Sequence, residues 1–367
     1  MNTMNIIEPT LILDSMKCRQ NIRSMVKKAL DSGVSFRPHF KTHNSREIGR
    51  WFREEGVDKI AVSSVKMAGY FADDGWDDIT IAITFNVLET HKINELLKSG
   101  KKINLIIDSD KPLDVLKKGL KYEVSIFVKI DTGYNRTGIL SDDIDKIEKV
   151  VRSINDAGMK FAGFLTHSGH SYRATSKNGI LDIYNDTMGK MDALRQSFIS
   201  EYPDLVISVG DTPTISITPD LRGADEIRPG NFVFYDLMQL ALGSCTIDQI
   251  AVVLAAPVIS KNTLRKEVVV HGGAVHLSKE FISEPSGRSN YGQPVFLKTD
   301  GWGKLSKDSY VSSISQEHSV IKANDEFFDA VSIGDVIGIV PVHSCLAANL
   351  TGSYLTLDGE RILNSRS

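Results

Sequence analysis

The sequence predicts an α/β fold, a (β/α)8 TIM-type barrel with a second, mostly β C-terminal domain. Over the first two-thirds of the chain, eight short runs rich in β-branched residues alternate with amphipathic stretches, as a parallel sheet with helical crossovers requires. No Gly-x-Gly-x-x-Gly turn follows the first run, which disfavours an open dinucleotide-binding sheet and favours closure of the strands into a barrel. From about Cys245 helical patterning nearly vanishes and strand-like runs follow one another between turn residues.

The barrel runs are "SFRPHFK" (35–41), "KIAVSS" (59–64), "DITIAIT" (78–84), "INLIID" (103–108), "VSIFVKID" (124–131), "FAGFLTH" (161–167), "LVISVG" (205–210) and "NFVFYD" (231–236). Segments between them, such as "SREIGRWFREEG", "VLETHKINELLKSG" and "SDDIDKIEKVVRSINDAG", close near a glycine, as helix C-termini often do. In the last third the strand-like runs are "IAVVLAAPVIS", "RKEVVVHGGAVHLS", "SYVSSIS", "DVIGIVPVHS" and "SYLTLDG". The opening "PTLILD" precedes the first barrel run and is available to pair with the β domain. The expected boundaries are 14–240 for the barrel and 1–13 plus 241–367 for the β domain. No internal repeat, low-complexity tract or long linker interrupts them.

A chain of 367 residues can bury one large core and a smaller one. The formal net charge of -3, without a block of like charge, gives no electrostatic case for nucleic acid or a membrane surface. The first residues lack a basic segment followed by an apolar one, and no run is long and apolar enough to span a bilayer. Cys18, Cys245 and Cys345 are odd in number and scattered, which argues against a disulfide framework and for a reducing compartment. A soluble cytoplasmic globular protein is the expectation.

In barrels of this kind the chemistry sits just beyond the strand C-termini. Lys41 ends the first run. "DTGYNRTG" with Arg136 follows the fifth, and "THSGHSY" with His167, His170 and Tyr172 follows the sixth. "GDTPT" follows the seventh, and Tyr235 with Asp236 ends the eighth. A lysine amine can condense with an aldehyde, and a Gly/Thr turn leading into a helix offers N–H groups and a hydroxyl to a phosphate. The set therefore suits a phosphorylated carbonyl cofactor. Arg136 could instead bridge Asp131, and His39 and His43 beside the lysine could serve packing alone.

"RPHFKTH", "DTGYNRTG", "THSGHSY", "SVGDTPT" and "EIRPGNFVFYD", in this order, resemble the fold-type III pyridoxal 5'-phosphate (PLP) enzymes. The barrel is similar to that of alanine racemase. The closer resemblance is to the D-serine dehydratases, D-threonine aldolases and 3-hydroxy-D-aspartate aldolases, and it spans nearly the whole chain. It implies that Lys41 is the Schiff-base lysine and the proton-transfer base. Arg136 would approach the phenolic oxygen of PLP, His167 would lie against its ring and Tyr172 beside it. Gly210, Asp211, Thr212 and Tyr235 would hold its phosphate, Asp211 through its backbone N–H with the side chain turned away. The resemblance further implies a homodimer and a D-amino acid substrate.

"PVHSCLAANL" places His343 and Cys345 two apart, on one face if the segment is a strand. Imidazole and thiolate form a soft pair suited to Zn²⁺ and leave coordination positions open, although a buried cysteine can also be a packing residue. Zinc-dependent D-serine dehydratases look similar here, whereas D-threonine aldolases of this fold typically carry His-x-Asp, a harder pair. The chain departs from the family pattern at His271, His276, Ser319 and Val342. The function implied is zinc-assisted β-elimination from D-serine or a D-β-hydroxy amino acid, giving an α-keto acid and ammonia. Aldol cleavage of D-threonine or 3-hydroxy-D-aspartate, racemisation, and a non-catalytic PLP carrier are the alternatives.

Overall fold

A computed structural model describes residues 6–284 and 286–366. The chain forms two compact units. One is built from the residues up to Ile22, from Thr42–Ile48 and from Asn231 onward; the other from Arg23–Lys41 and Gly49–Gly230.

In the second unit, among the described residues, Ile139–Leu140 pairs in parallel beside eight barrel strands that follow in chain order. They are Ser35–Phe36, Lys59–Val62, Asp78–Thr84, Lys102–Ile107, Ser125–Asp131, Lys160–Leu165, Val206–Val209 and Glu226–Ile227. From Lys59–Val62 onward each pairs in parallel with the next, and the last pairs back onto the first. The remaining seam is closed by a bridge from His39 to Ala61.

That seam explains why the expected seven-residue first strand has a regular ladder only at Ser35–Phe36. The N–H groups of Ser35, Arg37 and His39 donate to the carbonyls of Asp225, Ile227 and Pro229 at 2.8, 3.0 and 2.9 Å. The even-numbered residues face the other neighbour, where Phe40 donates to Ala61 O and Ala61 donates to Pro38 O, both at 2.9 Å. Pro38 has no N–H to give, so this side of the seam is one bridge long. The backbone is nevertheless held on both sides up to Phe40.

Phe40 is fully buried, with its ring centroid 5.0, 4.9 and 5.1 Å from those of Phe52, Phe71 and Trp76. Alternation along the extended segment turns His39 away from this cluster, and Lys41 is exposed in the turn that follows. The interior is polar at one level. Arg37 pairs with Glu226 at 2.7 Å and Asp78 at 2.6 Å, Ser208 Oγ donates to Glu226 at 2.6 Å, and Asn104 Nδ2 donates to Asp78 at 3.2 Å. A buried network of this kind persists because its members satisfy one another; losing one would strand the rest.

The expected eighth strand "NFVFYD" is not a strand. Pro229 and Gly230 end the strand at Glu226–Ile227, and Asn231–Val233 forms a 3-10 turn. Residues Asn231, Phe232, Val233 and Phe234 are all buried, so the segment lacks the alternation of a half-buried strand. Tyr235 then adopts φ 49°, outside the range of any strand.

In the other unit the long strand Val252–Asn262 is the spine. It pairs antiparallel with Thr10–Leu13, Glu267–His271 and Val336–Pro341. His318–Lys322 and Tyr310–Ile314 extend the sheet beyond Glu267–His271, and Gly292–Val295 pairs with Val336–Pro341. Ser353–Thr356 lies parallel to Thr10–Leu13 and carries Arg361–Leu363. Leu254, Val268, Val270, Ile321, Phe327 and Ile339 build its core. Among the described residues, short helices at Ala274–Leu277, Asp325–Ala330 and Ser344–Thr351 interrupt the strands that follow Val252–Asn262. Among the described residues no helix is long and apolar enough to cross a membrane.

Because Phe40 anchors the closing segment, Phe40→Ala is expected to lower the unfolding free energy by about 3–5 kcal/mol. Denaturant titration measures it; a loss below about 1 kcal/mol would mean that the aromatic cluster does not hold the seam.

Candidate active site

Lys41 is the residue after the closing segment, and its N–H donates to His39 Nδ1 at 3.3 Å. It lies at the end of a backbone that is hydrogen-bonded on both sides, which fixes where its side chain starts. His43 is buried and neutral, its pKa lowered to about 3 by burial, and it accepts from Ser45 N–H at 3.1 Å.

The loop "DTGYNRTG" folds back on the strand that precedes it. Asp131 accepts from the N–H groups of Gly133 at 2.9 Å and Asn135 at 3.1 Å. A Cβ at Gly138 would lie 2.7 Å from Asp131 N, and its φ is 119°, so only glycine fits there. Asp131 is thus engaged with backbone, and Arg136 does not bridge it. Arg136 lies 4.8 Å from the Tyr134 ring centroid, and Tyr134 meets His167 edge-on at 5.7 Å.

His167 Nδ1–H donates to Gly210 O at 2.5 Å. A carbonyl can only accept, so Nε2 of the neutral ring is left as an acceptor. Burial first, then the nearby charges of Lys129, Lys41 and Arg136, push the His167 pKa well below 6.5 despite the bond to Gly210. Lys129 and Arg228, which the sequence reading passed over, belong to the same group. Burial, reinforced by Arg228 and Arg136, lowers the Lys129 pKa to about 7. Burial lowers that of Arg228 to about 10, and its guanidinium donates to Ser208 Oγ at 2.5 Å and Thr166 O at 2.6 Å. A lysine at an inward position of "SIFVKID" was the available signal.

The turn after the seventh strand is tightly built. A Cβ at Gly210 would lie 2.9 Å from Arg228 Cβ. Asp211 caps the helix Thr212–Ile217, accepting from Thr214 N–H at 2.8 Å, Thr214 Oγ1 at 2.7 Å and Ser171 Oγ at 2.9 Å. Its side chain is therefore committed to its own helix, and burial pushes its pKa up to about 6. The bond from Ser171 also ties in the 3-10 turn Gly169–Arg173, which carries half-buried Tyr172. Thr212 Oγ1 is buried and has no hydrogen-bond partner among the described residues. An unpartnered hydroxyl in a region crowded with cations fits the phosphate and phenolate of an anionic cofactor. The barrel unit thus brings together Lys41, Arg136, His167, Gly210, Asp211 and Thr212. Tyr235 belongs to the other unit, buried in the turn after Asn231–Val233.

That other unit also holds His343 and Cys345, but not on a strand as the spacing suggested. The strand ends at Pro341, His343 is the N-cap, and Cys345 lies in the first turn of the helix Ser344–Thr351. The chain turns here because Asp236 accepts from Ser344 N–H at 2.9 Å and so secures the helix start. The helix start, rather than strand alternation, brings the two side chains together. The imidazole is hydrogen-bonded to Cys345, and its Nδ1 lies 2.7 Å from Glu280 Oε2. Burial alone would lower the His343 pKa; the charges and hydrogen bonds of Cys345 and Glu280 carry it up to about 11. Thr42 Oγ1 at 3.2 Å and Asn231 Nδ2 at 3.4 Å lie against the sulfur. No cluster of three or more His, Cys, Asp or Glu side chains poised for a metal occurs among the described residues. Two convergent ligands of nitrogen and sulfur do fit a zinc ion that keeps other positions open.

Residues 13–237 match the family model described as "Alanine racemase, N-terminal domain", and 251–357 that described as "Putative serine dehydratase domain". The chain belongs to the fold-type III PLP family. Among its relatives, the D-serine dehydratase of Dictyostelium discoideum is 30% identical, over 97% of this chain and 94% of that one. The D-threo-3-hydroxyaspartate dehydratase of Delftia sp. is 27% identical, over 95% and 93%. A solved structure of the Delftia enzyme superposes with a TM-score of 0.91 at 25% identity, covering 100% of this chain and 99% of that one. The D-threonine aldolase of Filomicrobium marinum shares the fold, with a TM-score of 0.81 at 20% identity over 99% and 96%.

The barrel of this family member makes a pH-dependent prediction. Asp211 binds its proton more tightly folded, near pH 6, than unfolded, near 3.8. Its contribution therefore favours folding below about pH 4 and is lost as pH rises through about 6. The stability of Asp211→Asn minus that of wild type should increase over that interval, by on the order of 3 kcal/mol. Denaturation at a series of pH values checks this; a flat difference would mean that the carboxylate is not raised.

Proposed function

We propose that this chain is a PLP-dependent lyase that removes water from D-serine or a related D-β-hydroxy amino acid, with zinc held by His343 and Cys345. The observation that carries this reading is the convergence of the His343 imidazole and the Cys345 thiol, a soft pair that favours Zn²⁺ over Mn²⁺ or Mg²⁺. The relatives named as dehydratases also support it, since they align with nearly the whole chain. The D-threonine aldolase of Arthrobacter sp. aligns with 44% of it.

When bound, PLP supplies an electron sink for the bond broken at Cα, and zinc supplies a Lewis acid for the departing hydroxyl. The chain does the rest. Lys41 would hold the cofactor through its amine and, once the substrate amine has replaced it there and freed it, would take the Cα proton. His167, neutral and fixed by Gly210, would lie against the cofactor ring without adding a charge. The Thr212 hydroxyl, the backbone N–H groups of Gly210–Thr212 and the Tyr235 hydroxyl would hold the phosphate. Arg136 would face the phenolic oxygen, and Tyr172 would stand beside the ring. Overall, D-serine loses its Cα proton and its β-hydroxyl as water. The released enamine then takes up water and yields pyruvate and ammonia. We take the working form to be a homodimer.

The test is incubation with D-serine, D-threo-3-hydroxyaspartate and D-threonine, assaying α-keto acid, ammonia, glycine and the L-isomer. The reading predicts equal amounts of keto acid and ammonia, with at least a 10²-fold loss on chelation that leaves the visible band of the bound cofactor intact. Glycine with an aldehyde would identify an aldolase, and L-isomer without keto acid a racemase. Undiminished turnover after chelation would remove zinc from the mechanism.

A further inference from the structure

Glu280 lies outside the motifs that carry the family resemblance, yet its carboxylate is placed on the imidazole of His343. Glu280 Oε2 is 2.7 Å from His343 Nδ1. The contact is built into the fold of this unit. Glu280 follows the short helix Ala274–Leu277, which packs against Ser344–Thr351. The loop before that helix is pinned, since a Cβ at Gly273 would lie 2.2 Å from Gln316 O. After the helix Ser278 turns the chain with φ 74°, and its Oγ accepts from Glu280 N–H at 3.2 Å.

We propose that Glu280 is the positioning residue of the metal site, holding the His343 tautomer and ring so that Nε2 is the ligating nitrogen. An imidazole that has given up a proton to bind a metal keeps one N–H. A carboxylate can only accept, so it draws that proton to Nδ1 and leaves the lone pair on Nε2. It also makes the ring a stronger donor and removes its freedom to rotate. Thr42 and Asn231 serve the sulfur in the same way, so both members of the pair are held before a metal arrives. The inference rests on the reading that His343 and Cys345 bind zinc.

The test uses full-length protein with PLP bound and its metal removed. Zinc affinity is measured by competition with a chelating dye for wild type, Glu280→Ala, Glu280→Gln and His343→Ala. Glu280→Ala should bind zinc about 10–100-fold more weakly. Glu280→Gln should lose less, because its amide oxygen still accepts from Nδ1–H. The thermal unfolding of the metal-free variants should match wild type, which a purely structural role would not allow. Unchanged affinity in Glu280→Ala would overturn the proposal. So would a loss as complete as that of His343→Ala, since the carboxylate would then be a ligand. Failure of wild type itself to bind zinc would instead overturn the metal reading on which the proposal stands.

Discussion

The closure of the barrel at residues 35–40 is the constraint on which the candidate site depends. This short segment is hydrogen-bonded to the carbonyls of Asp225, Ile227 and Pro229 on one side and to Ala61 on the other. Phe40 anchors it outward in an aromatic cluster, so the next residue, Lys41, leaves the barrel wall from a fixed point. A lysine on a free loop would lose rotational freedom on binding a cofactor. One that starts from a doubly bonded backbone has given up much of that freedom during folding.

Around that point the barrel gathers positive charge. Lys41, Lys129 and Arg136 all act on His167, and Arg228 acts on Lys129. The carboxylates nearby are largely occupied elsewhere, with Asp131 on loop N–H groups and Asp211 on its own helix. With burial, these cations keep His167 uncharged. In the other unit the arrangement differs, with one imidazole and one thiol each braced by its own neighbours.

Much of this was legible in the sequence where local chemistry and tertiary structure agree. Alternating β-branched runs and amphipathic segments located seven of the eight barrel strands to within a few residues. "DTGYNRTG" and "SVGDTPT" marked turns that the structure builds around Asp131 and Asp211. The reading failed where burial on all sides erased the periodic signal, as in "NFVFYD", whose apolar run is a 3-10 turn rather than a strand. It failed again at "PVHSC", where His343 and Cys345 converge through a helix start secured by Asp236, a residue more than a hundred positions away. Glu280 and Lys129 carry no motif of their own, and Arg228 lies in "EIRPGNFVFYD" without a role that the run itself reveals. Their place in the site comes from packing, which a one-dimensional pattern does not record.

The central claim is that the closing segment delivers Lys41 as the covalent anchor of the cofactor. Borohydride reduction of the native protein, followed by proteolysis and mass spectrometry, tests it most directly. The account predicts a single pyridoxyl-modified peptide, "FRPHFKTHNS" or a fragment of it, carrying the label on Lys41. A label on Lys129 or on any other lysine would contradict it.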